Sequence, residues 1–288
     1  MNQRVLNWGI FLLLSLTWGS SFILMKLGLA SFSPYQVASI RLISAGAALL
    51  PFFFRFIRQT PASKIPVIIM SGLLGNGIPA YLFCIAETRI DSSLAGMLNS
   101  FTPVFALIFS LALFHSPVLK RQVLGLMIGF AGVILLFLVK GVDANAYWYY
   151  GFLVILATAC YGLNIALVHH YLKEFQSLQL VSISLFFMGL FALPVLLLSG
   201  FSATFQAADR PWMSLAASCT LGLIGTGVAS LLFYQLIRSA GAIFASMVTY
   251  GLPVVAIGWG FVAGEAISGW QVLCLGVIMG GVYLVNRK

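Results

Sequence analysis

Long apolar runs separated by short polar segments fill the sequence from one end to the other. Each run is about 20 residues long, the length that a helix needs to cross the hydrocarbon core of a bilayer. The alternation of polar and apolar residues that is typical of a closed β-barrel is missing from them. The pattern predicts ten transmembrane helices, roughly at Trp8–Leu29, Pro34–Phe54, Ile65–Thr88, Ser92–Phe114, Gln122–Val139, Tyr149–Tyr171, Ser177–Leu198, Trp212–Ile237, Ala242–Ala263 and Gly269–Val285.

Composition excludes a water-soluble fold. Hydrophobic residues make up 61% of the 288 residues and charged residues only 7%, against about 25% charged residues in soluble domains. The four cysteines are scattered through apolar runs without metal-ligand spacing, so we expect neither a metal site nor a cofactor. There is no Walker loop, zincin motif or nucleophile elbow, so we expect no catalytic residues and no enzyme.

The distribution of positive charge predicts the orientation of the chain. The net charge is +9, which we assign to cytoplasmic loops facing anionic membrane lipids, not to a nucleic-acid partner. With both termini in the cytoplasm, only four cations lie on the outer side: Lys26, Arg89, Lys140 and Arg210. The cytoplasmic side then holds ten, namely Arg4, Arg55, Arg58, Lys64, Lys120, Arg121, Lys173, Arg238, Arg287 and Lys288. This asymmetry predicts a plasma (inner) membrane protein with both termini cytoplasmic.

One stretch occurs twice in the sequence. Ser71–His115 and Leu221–Glu265 superpose without a gap when one is shifted by 150 residues (253 − 103 = 150 for the two prolines). The shift aligns glycines as well as prolines, which apolar composition alone would not do. The matched residues, which we predict to act as hinges, are Gly72, Gly75, Gly77 and Pro103 in the first copy and Gly222, Gly225, Gly227 and Pro253 in the second.

The hinge interpretation follows from where these residues lie. Glycine weakens a helix, proline removes a backbone donor and should kink it, and paired interruptions of two spans are typical of transporter binding sites. The alternative is that the glycines only allow helices to pack closely.

The repeat extends over the whole chain. Helices 1 and 2 match helices 6 and 7 at a shift of 143, and helix 5 matches helix 10 at a shift of 149. Each half contains five spans, so the second half must enter the membrane from the opposite side. The sequence therefore predicts an all-α polytopic membrane protein with two inverted five-helix repeats, residues 1–140 and 148–288, joined by a seam at Gly141–Trp148.

Several motifs resemble those of a known family. They are WGSSF at Trp18–Phe22, Arg41 within IRLISAGAAL, the pair Gly264–Glu265 and the spaced glycines Gly276 to Gly281. In this order the chain resembles EamA-type transporters of the drug/metabolite transporter superfamily. The resemblance implies transport of metabolites, amino acids or drugs, often outward, through a cavity between the two halves. His115 and Tyr161-Gly162 depart from the family pattern, which leaves the substrate open.

Polar and aromatic residues are concentrated near the middle of helices 1, 3, 4, 6, 8 and 9. Unsatisfied polar groups are costly in hydrocarbon, so this many in corresponding helices of the two halves predict a lined cavity. We expect the solute to bind to Trp18, Ser21, Arg41, Asn76, Tyr81, Asn99, Thr102, Tyr161, Asn164, Tyr234, Thr249 and Tyr250.

Two roles are open for Arg41, the full charge well inside a predicted span. An intramembrane arginine marks a functional site by default, and it could bind a substrate carboxylate through two hydrogen bonds. Alternatively it stabilises backbone carbonyls of a broken neighbouring helix. Its repeat counterpart is Ser184, so the symmetry of the fold does not require a charge here.

The six carboxylates all lie near predicted span ends, which disfavours cation–proton antiport through an acid at the membrane centre. Any ion coupling would involve Glu87 or the pair His169–His170, because histidine titrates near neutral pH. The more ordinary interpretation of the two histidines is that they are solvated at the end of helix 6.

We therefore expect a secondary transporter or facilitator of small organic solutes, such as amino acids, related metabolites or drug-like compounds. Export is favoured only through the family resemblance. An importer of anionic metabolites, using Arg41, Lys26 and Arg238, is the alternative. A membrane-embedded lipid-modifying enzyme using His115, His169 and His170 is the rival from another class, and it leaves the repeat unexplained. The sequence does not decide between a monomer and a homodimer.

Overall fold

The computed structural model describes residues 3–140, 148–255 and 268–286, and within these ranges the regular secondary structure is entirely helical. The predicted seam up to residue 147, Asp143, Gly264, Glu265 and the end of the predicted ninth helix lie outside the described residues. We number the helices α1 (Gln3–Leu29), α2 (Pro34–Ala48 and Leu50–Ile57), α3 (Ala62–Ala86), α4 (Ser92–Asn99 and Thr102–Ala112), α5 (Lys120–Lys140), α6 (Trp148–Tyr171), α7 (Ser177–Leu198), α8 (Pro211–Ala240), α9 (Ala242–Val255) and α10 (Gly269–Asn286). A short helix, Phe201–Ala207, lies between α7 and α8.

These helices are those of a polytopic membrane protein. Six described helices (α1, α3, α4, α6, α7 and α8) are long and apolar enough to cross a bilayer, and α2 makes a seventh if its two segments form one span. The described parts of α9 and α10 are shorter apolar helices. The number of ten spans therefore remains a prediction.

Local sequence explains how α2 begins and bends. Ser33 and Gln36 form a reciprocal capping box, and Pro34 occupies the first turn, where its missing N–H costs nothing. The helix bends by 62° between its two segments, next to Pro51. The repeat counterpart Pro194 lies inside the continuous helix α7. The two predicted halves thus differ at this point.

The glycine clusters coincide with π-helical segments. In α3 the π-helix spans Leu73–Gly77, and in α8 it spans Leu223–Val228. Their first residues are separated by 150 (223 − 73 = 150), the same shift that aligns the two copies in the sequence. Short π-helical turns are rare inside α-helices and occur often at functional sites.

The two matched prolines follow breaks in their helices. The first segment of α4 ends at Asn99, and Pro103 lies in the first turn of the second segment. In α9 a 3₁₀ turn, Met247–Gly251, precedes Pro253. Each proline therefore stands where a missing backbone donor is tolerated.

Contacts between helices also occur in pairs. Gln36 donates to Thr204 Oγ1 (3.0 Å) beyond the end of α7, and Gln179 donates to Thr60 Oγ1 (2.8 Å) beyond the end of α2. The two glutamines are 143 residues apart, the shift that relates these helices in the sequence.

Close contacts at glycines in the helices also occur in pairs that the sequence repeat relates. Gly19 in α1 faces Val255 in α9, and Gly162 in α6 faces Phe105 in α4, each closely enough that an added Cβ would collide. These two helix pairs correspond to each other under the shifts of 143 and 150.

Candidate functional site

A cavity lies where α1, α3, α4, α6, α8 and α9 meet, and α2 contributes one residue to it. The empty space is about 780 Å³, including the part that opens to solvent. Its lining is mainly apolar and aromatic with a few polar groups, as in sites for small organic ligands. The lining residues are Trp18, Ser21, Phe22, Met25, Arg41, Gly75, Asn76, Phe83, Asn99, Thr102, Tyr161, Asn164, Ile165, Gly225, Ser230, Phe233, Tyr234, Thr249 and Leu252.

Most of this lining consists of residue pairs that the sequence repeat relates. The shift of 143 relates Trp18 to Tyr161, Ser21 to Asn164 and Phe22 to Ile165; the shift of 150 relates Gly75 to Gly225, Phe83 to Phe233, Asn99 to Thr249 and Thr102 to Leu252. Equivalent positions of the two predicted halves therefore face one space. Arg41 departs from this pairing, because its counterpart Ser184 is not among the lining residues.

Arg41 brings the only formal charge to the described lining. Arg41 is buried, with 8% of its surface exposed, and its Nε donates to Thr226 Oγ1 at 2.6 Å. Thr226 belongs to the π-helical segment of α8 and donates in turn to the Leu221 carbonyl oxygen (3.2 Å). The terminal amino groups of Arg41 have no hydrogen-bond partner among the described residues. Arg41 thus contacts the π-helical segment and keeps donors for a ligand.

Aromatic rings form opposite parts of the wall. The Trp18 indole N–H donates to the Gly225 carbonyl oxygen (2.9 Å), and its ring meets Phe233 edge-on at 5.0 Å between centroids. Tyr161 stacks on Phe83 at 6.0 Å. Both contacts join elements of different predicted halves. The wall offers apolar ring surface to a ligand that is itself partly apolar.

Polar residues on another side are bonded to each other. Ser71 Oγ donates to Asn164 Oδ1 (2.6 Å), and the Tyr234 hydroxyl lies 3.1 Å from Ser71 Oγ and 3.3 Å from Asn164 Nδ2. This network joins α3, α6 and α8. An added Cβ on Gly75 would collide with the Asn164 amide, so glycine is what allows this approach.

The remaining predicted polar residues of the lining make weaker or local bonds. Asn76 Oδ1 accepts from Ser230 Oγ at 3.3 Å, between α3 and α8. The Thr102 hydroxyl donates to Asn99 Oδ1 (3.2 Å), and the Thr249 hydroxyl donates to a backbone carbonyl within its own helix. Ser21 likewise donates to the carbonyl of Thr17 (2.7 Å).

Ten of the twelve predicted binding residues line the cavity, and Tyr81 and Tyr250 do not. The Tyr81 hydroxyl is 2.9 Å from Ser39 Oγ in α2, and the Tyr250 hydroxyl donates to the Leu126 carbonyl of α5 (3.1 Å). Both tyrosines lie between helices, where their hydroxyl groups find partners in neighbouring helices.

The sequence reasoning missed several apolar residues of the wall, including Phe22, Met25, Phe83 and Phe233. Only residues with a polar side-chain atom were selected, the aromatic Trp and Tyr among them, so phenylalanine and methionine in the lining were not found. The repeat contained a usable signal, since Phe83 and Phe233 are aligned by the same shift as the glycines.

The histidines lie apart from the cavity. The His170 ring packs on Phe114 at 5.0 Å between centroids, and Glu174 pairs with Lys64 (3.1 Å), not with a histidine. His115 has a positive φ of 46° just after the end of α4. This arrangement does not favour the lipid-modifying enzyme.

Comparison with known proteins places the chain in a family. The model of the "EamA-like transporter family" matches residues 7–138 and again residues 148–287. The chain is similar to the uncharacterized inner membrane transporter YedA of Escherichia coli K12, at 28% identity over 96% of this chain and 90% of the relative. It is also similar to an S-adenosylmethionine/S-adenosylhomocysteine transporter of Chlamydia trachomatis serovar L2, at 24% identity over 94% of this chain and 86% of the relative.

A solved crystal structure has the same fold. It superposes with a TM-score of 0.72 at 17% identity, over 96% of this chain and 95% of the other. The family model covers both halves of the sequence, and the named relatives are membrane transporters. The chain belongs to the EamA-like transporter family of the drug/metabolite transporter superfamily.

Proposed function

We propose that this protein is a secondary transporter or facilitator that carries a small organic solute through the central cavity by alternating access. The observation that carries the proposal is the paired lining: repeat-related residues, such as Asn99 and Thr249, face the same space. Two similar halves around one site can have two conformations of nearly equal free energy, each open to one side of the membrane.

The proposed architecture is ten spans in two inverted repeats, with both termini in the cytoplasm of the inner membrane. Its supports are the cation asymmetry of the loops, the twofold match to the family model and the paired π-helical segments.

The charge of the cavity narrows the class of solute. Arg41 is the one formally charged residue in the described lining, and carboxylates are missing from that lining. A ligand with a carboxylate would neutralise Arg41, whereas a simple cation would be repelled by it. Together with the aromatic wall, this favours amino acids, related metabolites or drug-like compounds that combine an anionic group with an apolar part.

Two observations bear on the direction of transport, the family resemblance and the positions of the cations. Outward transport is what the family resemblance implies. Of the three cations invoked for import of anionic metabolites, Arg41 lines the cavity, whereas Lys26 donates to the backbone carbonyls of Glu87 and Ile90. Import remains the alternative.

Solute counterflow in liposomes tests the proposal. Purified protein is reconstituted with a high internal concentration of one unlabelled candidate, and the same labelled compound is supplied outside at trace concentration. The panel contains the common amino acids, dicarboxylates, S-adenosylmethionine, S-adenosylhomocysteine and, as the contrasting class, simple organic cations such as tetraethylammonium. We expect transient accumulation of at least one anionic or zwitterionic compound. The accumulation should disappear when the unlabelled compound is also present outside at high concentration. Protein-free liposomes are the control, and counterflow of simple organic cations alone would contradict the proposed solute class.

A further inference from the structure

Glu87 is a buried carboxyl group that forms no ion pair among the described residues. It follows Ala86, the last residue of α3, and is 1% exposed. Neither carboxylate oxygen has a hydrogen-bond partner among the described residues. Lys26 lies nearby, yet its ammonium donates to the backbone carbonyls of Glu87 (2.7 Å) and Ile90 (3.1 Å) and forms no ion pair with the carboxylate. A buried carboxylate without such partners is costly to ionise.

The groups around Glu87 have opposing effects on the pKa of its carboxyl group. Burial raises the pKa of its carboxyl to about 8, although the cations Lys26 of α1 and Arg41 of α2 both lower it. Ser92, at the start of α4, lies close enough to the carboxyl group to lower its pKa as well, and Cys84 is the neighbouring titratable group one turn earlier in α3. From α6, Tyr161 interacts electrostatically with both Arg41 and Cys84.

The same surroundings connect Glu87 to the cavity. Its N–H donates to the carbonyl of Phe83 (2.9 Å), which lines the cavity one helical turn away. Arg41 lines the cavity as well and acts electrostatically on Glu87. A change in the charge at Arg41 must therefore change the proton affinity of Glu87, and the reverse holds equally.

We propose that Glu87 is a proton-binding site coupled through Arg41 to the solute cavity, so that a proton and an anionic solute bind together. Ionised Glu87 repels an anion at Arg41, and protonation removes that repulsion. In the other direction, an anion at Arg41 neutralises the cation that favours ionised Glu87. The proton enters from water onto a carboxylate oxygen and returns to water on the far side with the solute. This inference rests on the proposed transport function. Because it moves the proton and the solute in the same direction, an inward proton gradient would favour the alternative of import.

Direct titration tests the site without any solute. The chain has three glutamates, Glu87, Glu174 and Glu265, so side-chain ¹³C labelling of glutamate gives three carboxyl signals. We expect one signal to titrate above pH 7 in the reconstituted protein and to vanish in Glu87→Gln. Glu174→Gln should leave it in place, because Glu174 is 62% exposed and paired with Lys64. Titration of all three signals near pH 4 to 5 would overturn the proposal.

Charge changes at Arg41 test the coupling in the same titration. Arg41→Gln should move the Glu87 signal to higher pH, because a cation that favours the ionised form is gone. Arg41→Lys keeps the charge and should leave the midpoint near that of the unmodified protein. Equal midpoints in all three proteins would show that the two residues are uncoupled and would refute the inference.

Transport then tests the function: the affinity for the solute is measured as a function of pH. S-adenosylhomocysteine and aspartate are the first probes, and any other panel compound that shows counterflow is added. Affinity should fall at least about fivefold from pH 6 to pH 9 in the unmodified protein and in Glu174→Gln. Glu87→Gln mimics the protonated form, so it should retain counterflow and lose this pH dependence. Counterflow with unchanged pH dependence in Glu87→Gln refutes the coupling alone. Absence of counterflow for the whole panel refutes the proposed function, while the titration still decides whether Glu87 holds a proton.

Discussion

At the scale of single residues, Arg41 makes the cavity electrostatically asymmetric. Its counterpart in the second half is the uncharged Ser184, although most of the surrounding wall is paired. Arg41 donates to Thr226 in the π-helical segment, and it also lines the cavity, where a ligand can accept from it. The contact with the neighbouring helix is to a side-chain hydroxyl and not to the backbone carbonyls that the sequence suggested, and the ligand-binding role stays a prediction.

Substitutions separate these roles. We expect Arg41→Ala to reduce counterflow of a carboxylate-bearing solute about tenfold or more, because a charge-assisted hydrogen bond is lost. Arg41→Lys should restore little, since lysine lacks the planar fork. Initial counterflow rates are compared for the solute and for its neutral amide or ester analogue.

Thr226→Val is the matched control for this experiment. It removes the oxygen that accepts from Arg41 Nε but preserves the volume and the charge. If Thr226→Val and Arg41→Ala impair both analogues equally, Arg41 acts on the π-helical segment and not on the solute.

Residue-scale prediction from the sequence was limited by chemistry. Intramembrane polar residues must find partners, and they find them either around a cavity or between packed helices. Asn76 and Thr102 are cavity residues, whereas Tyr81 and Tyr250 bond to neighbouring helices. Sequence periodicity does not distinguish these environments, because both require the residue to face away from lipid.

At the scale of elements, the paired π-helical segments in α3 and α8 explain why glycines recur in register. The equivalent glycines differ in what surrounds them. An added Cβ on Gly222 would collide with the Arg41 carbonyl and Ser44, so replacing it tests packing, not motion. Gly77 and Gly227 are the suitable pair: a Cβ on Gly77 meets the flexible end of Met188, and one on Gly227 meets nothing closer than 3.6 Å.

We therefore expect Gly77→Ala and Gly227→Ala to fold but to slow counterflow, because alanine stiffens the helix at the proposed hinge. Because the proposed repeats make the two positions inverted equivalents, the two variants should bias the cavity toward opposite sides of the membrane. Accessibility of a cavity cysteine from each face measures this bias. Gly9→Ala is the control, since its added Cβ has no neighbour within 4 Å. A shift in the same direction for both variants would leave the glycines as packing residues.

Elements were predictable from the sequence to the extent that hydrophobic length decides them. The predicted range of α7 agrees with the structure at both ends. The bend of α2 was missed because proline alone does not determine a bend: Pro51 adjoins one, and Pro194 lies in a continuous helix. The π-helical register was not predictable either, because its tertiary contacts, such as the bond from Arg41 to Thr226, are not visible in a local sequence pattern.

At the scale of the whole molecule, alternating access requires one cavity that opens to each side of the membrane in turn. The pairing of the lining gives this idea its physical basis, because equivalent positions in inverted halves would exchange environments when the protein changes state. Asn99 and Thr249 are such a pair, and both are buried in the structure. Neither requires a large change of volume when replaced by cysteine.

The most direct test is the labelling of single cysteines at Asn99 and Thr249 with a membrane-impermeant thiol reagent, applied to each face separately. Cys84, Cys160, Cys219 and Cys274 are first replaced, and counterflow of the background is checked. We expect each cysteine to react from both faces and to be protected by a solute that passes counterflow. Gly77→Ala and Gly227→Ala should favour reaction from opposite faces. Reaction from one face only, with no protection by solute, would contradict alternating access through this cavity.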